Sequence, residues 1–140
     1  MKYVKIDPDV PDLIRGTEDS AGIDLYNAGY STSIAAGTSA IINTGIKVEI
    51  PKGYFGLATI RSSLGFKYGL GCHVGIIDSD FRGAMRVKIT NPMGNENVNL
   101  MRHDRVAQLV LIPYLHIDPE LVDELSDTVR GEGGYGSTGR

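Results

Sequence analysis

The sequence predicts an all-β domain with at most one short helix, on three observations. Short runs rich in Ile, Val, Tyr and Thr follow one another closely. Turn-forming Gly, Pro, Asn and Asp separate them, and the 18 glycines are scattered rather than set at a fixed period. Helical periodicity is weak throughout.

Taken in order, "KYVKI" opens the chain, followed by "IDLYNAGY", "AIINTGIKVEIP" and "YFGLATI". "IKVEI" alternates apolar and charged residues, so it reads as a strand with one wet face. "SSLGFKY" holds one or two helical turns, with Ser62 or Ser63 as the expected N-cap. "CHVGII" and "AMRVKITNP" flank a turn at residues 78–83, and "VNLMRHDRVAQLVLIP" reads as a further strand pair. "DPELVDELSD" fits a short helix or an extended segment equally well.

At 140 residues the chain fits one domain, with enough length to bury a real core. Its 14 basic and 17 acidic residues leave a net charge of −3, which gives no electrostatic footprint for nucleic acid. Cys72 is the one cysteine, so no internal disulfide is expected. His73, His103 and His116 lack metal-ligand spacing. Neither a membrane-length apolar run nor an apolar N-terminal signal region is evident, and a soluble, reducing, cytoplasmic setting is expected.

Five stretches carry chemistry. In "RSSLG", Arg61, Ser62 and Ser63 bring a guanidinium, two hydroxyls and backbone N–H groups to a helix start, which suits an anion; the plainer reading is a capped helix. In "GIIDSDFRG", Asp78 and Asp80 would share one face of a strand. One carboxylate suits a general base and the pair a divalent cation, against an ordinary acidic turn. Gln108 interrupts the apolar run of "DRVAQLVLIP" and needs a partner, whether ligand or neighbouring strand. Asp24, within "SAGIDLYNA", is a strand carboxylate that needs a partner such as arginine. The tail "RGEGGYGSTGR" combines the phosphate-suited fork of Arg130, glycine N–H groups, the ring of Tyr135 and the hydroxyls of Ser137 and Thr138. It lacks the lysine of a phosphate-binding P-loop, and its plain alternative is a linker.

Together and in this order, "AGIDL", "RSSLG", "GIIDSDFRG", "RVAQLVL" and "RGEGGYGSTG" resemble the five motifs of the trimeric deoxyuridine triphosphatases, over residues 21–139. The resemblance implies a distorted jelly-roll β-barrel of the β-clip type at residues 1–129. It also implies a flexible glycine-rich arm at 130–140 that closes a shared active site in a homotrimer. The implied activity is Mg²⁺-dependent hydrolysis of dUTP to dUMP and pyrophosphate, which limits uracil in DNA and supplies dUMP for dTMP synthesis.

By the same resemblance, Asp78 orients the attacking water. Arg61, Ser62 and Ser63 form a phosphate-binding turn, and Gln108 lies on the phosphate side. Cys72 to Ile77, including Gly75 and Ile76, match a β-hairpin whose backbone reads uracil, with Arg86 on the adjoining strand. Phe81 stands where a tyrosine usually packs under the deoxyribose. Arg130 is expected on the γ-phosphate, Tyr135 stacked on uracil, and Gly136, Ser137 and Thr138 around the phosphates. Magnesium is expected on the phosphates with no direct protein ligand, and Asp24 in its outer shell at most. Ile60 and Ser63 depart from the usual proline and glycine of the second motif.

Two alternatives remain at this level. A dCTP deaminase shares the fold and the Arg-Ser-Ser turn, but its glutamate position falls at Lys88. A protein-interaction module of the same fold is the other.

Overall fold

The computed structural model describes residues 1–92 and 96–134. These form eleven strands and one helix. In chain order they are β1 (Lys2–Lys5), β2 (Gly22–Tyr26), β3 (Thr32–Ile34), β4 (Ser39–Asn43), β5 (Ile46–Glu49), β6 (Tyr54–Ile60), α1 (Ser62–Tyr68), β7 (Gly71–Cys72), β8 (Gly75–Ile77), β9 (Arg86–Thr90), β10 (Val98–Leu100) and β11 (Arg105–Pro113).

The strands sort into four small sheets, a distorted jelly roll rather than a closed barrel. The largest runs β2-β11-β6-β8, the next β4-β9-β7, and β1-β5 and β3-β10 are two-stranded ribbons. Every pairing is antiparallel. Between the sheets lies one core that includes Leu25, Ile34, Ile42, Ile46, Ile89, Leu100, Val106 and Leu109. Burying each such side chain contributes about 1.5–3 kcal/mol. The predicted wet face of β5 is observed: Ile46 and Val48 are buried while Lys47 and Glu49 are exposed.

Helix α1 falls where expected, but neither serine caps it. Arg61 is the N-cap, extended at φ −74° and ψ 139°, with no capping bond from its side chain. The helix ends at Gly69, whose φ of 66° lets its own N–H reach the Gly65 carbonyl and the N–H of Leu70 reach the Leu64 carbonyl.

Other readings change once long-range pairing is visible. Residues 98–113 do not form a strand pair, because β10 joins β3 while β11 sits between β2 and β6. The buried amide of Asn27 explains the split. Its Nδ2 donates to the carbonyls of Leu100 and Met101, drawing the connecting loop onto β2. Residues 118–127 form neither helix nor strand and are exposed, with Leu121 and Leu125 almost fully so. Among the described residues no helix is long and apolar enough to cross a membrane.

Candidate active site

The first group of chemical side chains gathers where β2, β11 and the end of β6 meet. Asp24 is buried, with a side chain only 8% exposed. Its Oδ1 lies 2.8 Å from Arg61 Nε and its Oδ2 3.2 Å from Arg105 Nη1. The arginine partner expected for Asp24 is therefore present twice. Beside it on the same face, Gln108 opposes Asp24 in the β11–β2 register. Its Nε2 donates to the Ile60 carbonyl of the neighbouring strand at 3.2 Å. A Cβ on Gly22 would overlap the Gln108 amide, so glycine makes the room. Ser62 and Ser63 stand exposed on the first turn of α1. Burial and the Asp24 carboxylate push the nearby Tyr26 phenol above its ordinary range.

The second group lies at β8 and the turn that follows. Asp78 and Asp80 do not share a strand face, because β8 ends at Ile77 and both sit in the turn. The Asp78 carbonyl accepts the N–H of Phe81 at 3.1 Å. Arg82 closes the turn further by donating to the carbonyls of Ser79 and Phe81. The Asp78 carboxyl is exposed and borders a hollow of about 660 Å³ shared with Lys52, Tyr114 and His116. The Phe81 ring folds back over Gly83, where a Cβ would come within 2.5 Å of its Cζ.

Residues 72–77 do not close on themselves as a hairpin. Cys72 belongs to β7, which pairs with β9, whereas Gly75, Ile76 and Ile77 form β8, which pairs with β6. Both β7 and β8 are edge strands, so each presents one row of backbone N–H and C=O groups unpaired by a further strand. Arg86 opens β9, the strand adjoining β7, and its side chain is exposed. The Cys72 thiol touches the His73 carbonyl at 3.3 Å, and burial pushes it above its ordinary value.

The two groups stand apart within one chain. Gly56 pairs with Ile77, so Asp78 follows β8 beside Phe55, while Arg61 lies just past the other end of β6. Six residues of strand at 3.3 Å each separate them by about 20 Å. Among the described residues, no hydrogen bond or ion pair joins the groups. Arg130 lies in an exposed turn, its Nε donating to the Gly133 carbonyl at 2.7 Å. Tyr135, Gly136, Ser137 and Thr138 lie outside the described residues.

Among the described residues no cluster of three His, Cys, Asp or Glu groups offers a metal cage. Each Asp24 oxygen, although paired with an arginine, retains capacity to accept a bond from a metal-bound water.

Arg105, Gly22, Arg82 and Gly83 all shape these groups and escaped the sequence reading. Arg105 stood in plain sight beside Val106 and Ala107, but its direction depends on pairing with β2. The two glycines carry no signal apart from their neighbours' side chains.

The dUTPase family model matches residues 9–139, and the chain belongs to the dUTPase family. It is 44% identical over 133 residues to a deoxyuridine 5'-triphosphate nucleotidohydrolase of Escherichia phage T5, covering 89% of this chain and 88% of that protein. A Corynebacterium glutamicum protein of the same name is 40% identical over 142 residues, covering 100% of this chain and 95% of its own. Among solved structures, a Staphylococcus bacteriophage 80alpha dUTPase G164S mutant with dUpNHpp superposes with a TM-score of 0.90 at 25% identity. That match covers 99% of this chain and 98% of the phage protein.

Proposed function

We propose that the chain is a dUTP diphosphatase, hydrolysing dUTP to dUMP and pyrophosphate at sites shared between the copies of a homotrimer. The family match over residues 9–139 supports the reaction. The observation that carries the shared site is the separation of Asp78 from Arg61 along β6. A general base and a phosphate-binding arginine about 20 Å apart cannot serve one phosphate from the same chain. Exposed Leu115, Ile117, Leu121, Leu125 and Val129 lie along the segment leaving the barrel, which suits cover by another copy. The division into a barrel at 1–129 and an arm at 130–140 follows from the same picture.

In this reading Asp78 takes a proton from water as the water oxygen attacks the α-phosphorus. The bond from that phosphorus to the α–β bridging oxygen breaks, and pyrophosphate leaves. Arg61, the first-turn N–H groups of α1, Ser62, Ser63 and Gln108 face the phosphates, joined by Arg130, Gly136, Ser137 and Thr138 of the arm. Magnesium, if bound with the substrate, would supply positive charge against its phosphates. Asp24 would be the residue to hold one of its waters.

The free edges of β7 and β8, around Cys72, Gly75, Ile76 and Ile77, suit main-chain recognition of uracil. Cytosine reverses the donor pattern and would leave those groups unpaired. Arg86 lines the same pocket, Phe81 on Gly83 forms a floor for the deoxyribose, and Tyr135 stacks on the base. Lys88 on β9 offers no carboxylate for deamination.

The test is a product assay on dUTP, dCTP, dTTP and UTP. Pyrophosphate from dUTP alone is expected; ammonia from dCTP would replace this reading with the deaminase.

A further inference from the structure

The geometry around Asp24 contains a residue with no role in the reading above. In the β11–β2 ladder Gln108 opposes Asp24 and Ala107 opposes Leu25, but Arg105, not Val106, opposes Tyr26. The register shifts by one residue between Arg105 and Ala107. In an unbroken ladder Val106 would face Tyr26, and the Arg105 side chain would leave from the opposite face. The bulge turns Arg105 onto the face shared by Tyr26, Asp24 and Gln108, while Val106 stays buried in the core. Bulges beside active sites commonly re-aim a side chain in this way.

The residues before the bulge are held firmly. Asn27 N–H donates to the Asp104 carbonyl, and the N–H of His103, at φ 68°, donates to the Asn27 carbonyl at 2.7 Å. The N–H of Met101 donates to Asp104 Oδ2 at 2.8 Å. Arg105 therefore starts β11 from a fixed point.

Neutralising Asp24 does not require this arrangement, because Arg61 alone balances its charge. The second arginine holds Oδ2, which stops the carboxylate from rotating and keeps Oδ1 on Arg61 Nε. The Arg61 pair uses Nε, so its two terminal nitrogens are left to face a ligand as a fork.

We infer that Arg105 is a positioning residue that acts through Asp24 to fix the guanidinium of Arg61 for the substrate's phosphates. This rests on the dUTP diphosphatase reading for the identity of the substrate.

The test compares Arg105→Ala, Arg105→Lys, Arg61→Ala and the double variant Arg61→Ala/Arg105→Ala. Arg105→Ala is expected to lower kcat/KM for dUTP about 10- to 100-fold, the scale of a displaced binding group. Arg105→Lys recovers part of the loss, because an ammonium still reaches Oδ2. In the Arg61→Ala background, adding Arg105→Ala changes kcat/KM by less than about threefold, since the group it positions is gone. Effects that multiply instead, or a single variant with unchanged kcat/KM, overturn the inference. Circular dichroism checks folding; should the alanine variant not fold, the lysine variant and its double with Arg61→Ala take its place.

Hydrogen exchange at Arg61 Nε–H, read by nitrogen-15 NMR without nucleotide, separates this inference from the functional one. Exchange faster by about fivefold or more in Arg105→Ala supports the brace, and unchanged exchange contradicts it. A wild-type protein inactive on dUTP refutes the enzymatic reading, while the exchange measurement still decides the brace.

Discussion

The Gln108 amide occupies the space in which any larger residue at position 22 would place its Cβ. The overlap is with the far end of a side chain, so Gln108 has to swing away and give up its bond to the Ile60 carbonyl. Gly22→Ala is expected to cost only about 1 kcal/mol of stability. It should lower kcat/KM for dUTP nearly as much as Gln108→Ala does. Combining the two should add little, because both remove the same amide. Denaturant melts and steady-state kinetics on the three variants check this.

Asp78→Asn is expected to lower kcat at least ~100-fold while dUTP binding is largely retained. An amide still holds a water but does not take its proton. Calorimetry with a non-hydrolysable dUTP analogue, set beside turnover, separates the two effects. Near-normal kcat would remove Asp78 from the role of base.

Gly83→Ala drives a methyl group into the Phe81 ring. That ring is partly exposed and free to move, so the melting temperature should hardly change. Discrimination between dUTP and UTP should fall, because the floor beneath the sugar has shifted. The ratio of kcat/KM for the two nucleotides is the measurement, and an unchanged ratio would place sugar selection elsewhere.

Cys72 yields a pH prediction. Burial raises its thiol above the ordinary 9.0, so the neutral thiol persists in the fold where an unfolded chain would already ionise. The contribution to stability is complete below the unfolded value and is lost as pH rises through the folded one. Alkylation by iodoacetamide should therefore be slower at a given pH than in the unfolded chain, and should keep rising with pH beyond the point where the unfolded thiol levels off. A dUTP analogue should slow it further if Cys72 borders the base.

Local pattern made the wet face of β5, the helix after Arg61 and the need of Asp24 for arginine readable from sequence. Register was hidden, because it belongs to two strands at once. Nothing in "DRVAQ" marks the bulge that turns Arg105 toward Asp24. The false pairing of β10 with β11 arose the same way: the short loop suggests a hairpin, but a distant Asn27 amide draws it aside. For residues 118–127 a short helix and an extended segment fitted the sequence equally; the residues are exposed, so no packing supports a helix there.

The glycine-rich end lends itself to truncation. Residues 118–132 are all exposed, and among the described residues the turn at Arg130 bonds only within residues 128–133. Ending the chain after Val129 should spare the barrel and reduce kcat/KM sharply. Tyr135→Phe should be nearly silent, whereas Tyr135→Ala should cost about 1–3 kcal/mol of binding if the ring stacks on the base.

The central claim, a site assembled from different copies, is tested most directly by complementation. Asp78→Asn and Arg61→Ala proteins, each nearly inactive, are mixed in equal amounts, unfolded and refolded together. If Asp78 and Arg61 of one site come from different subunits, each is intact with probability one half. About one quarter of wild-type dUTP hydrolysis should then return. A mixture no more active than its parents, or a wild-type monomer that is fully active by light scattering and assay, would contradict the shared site.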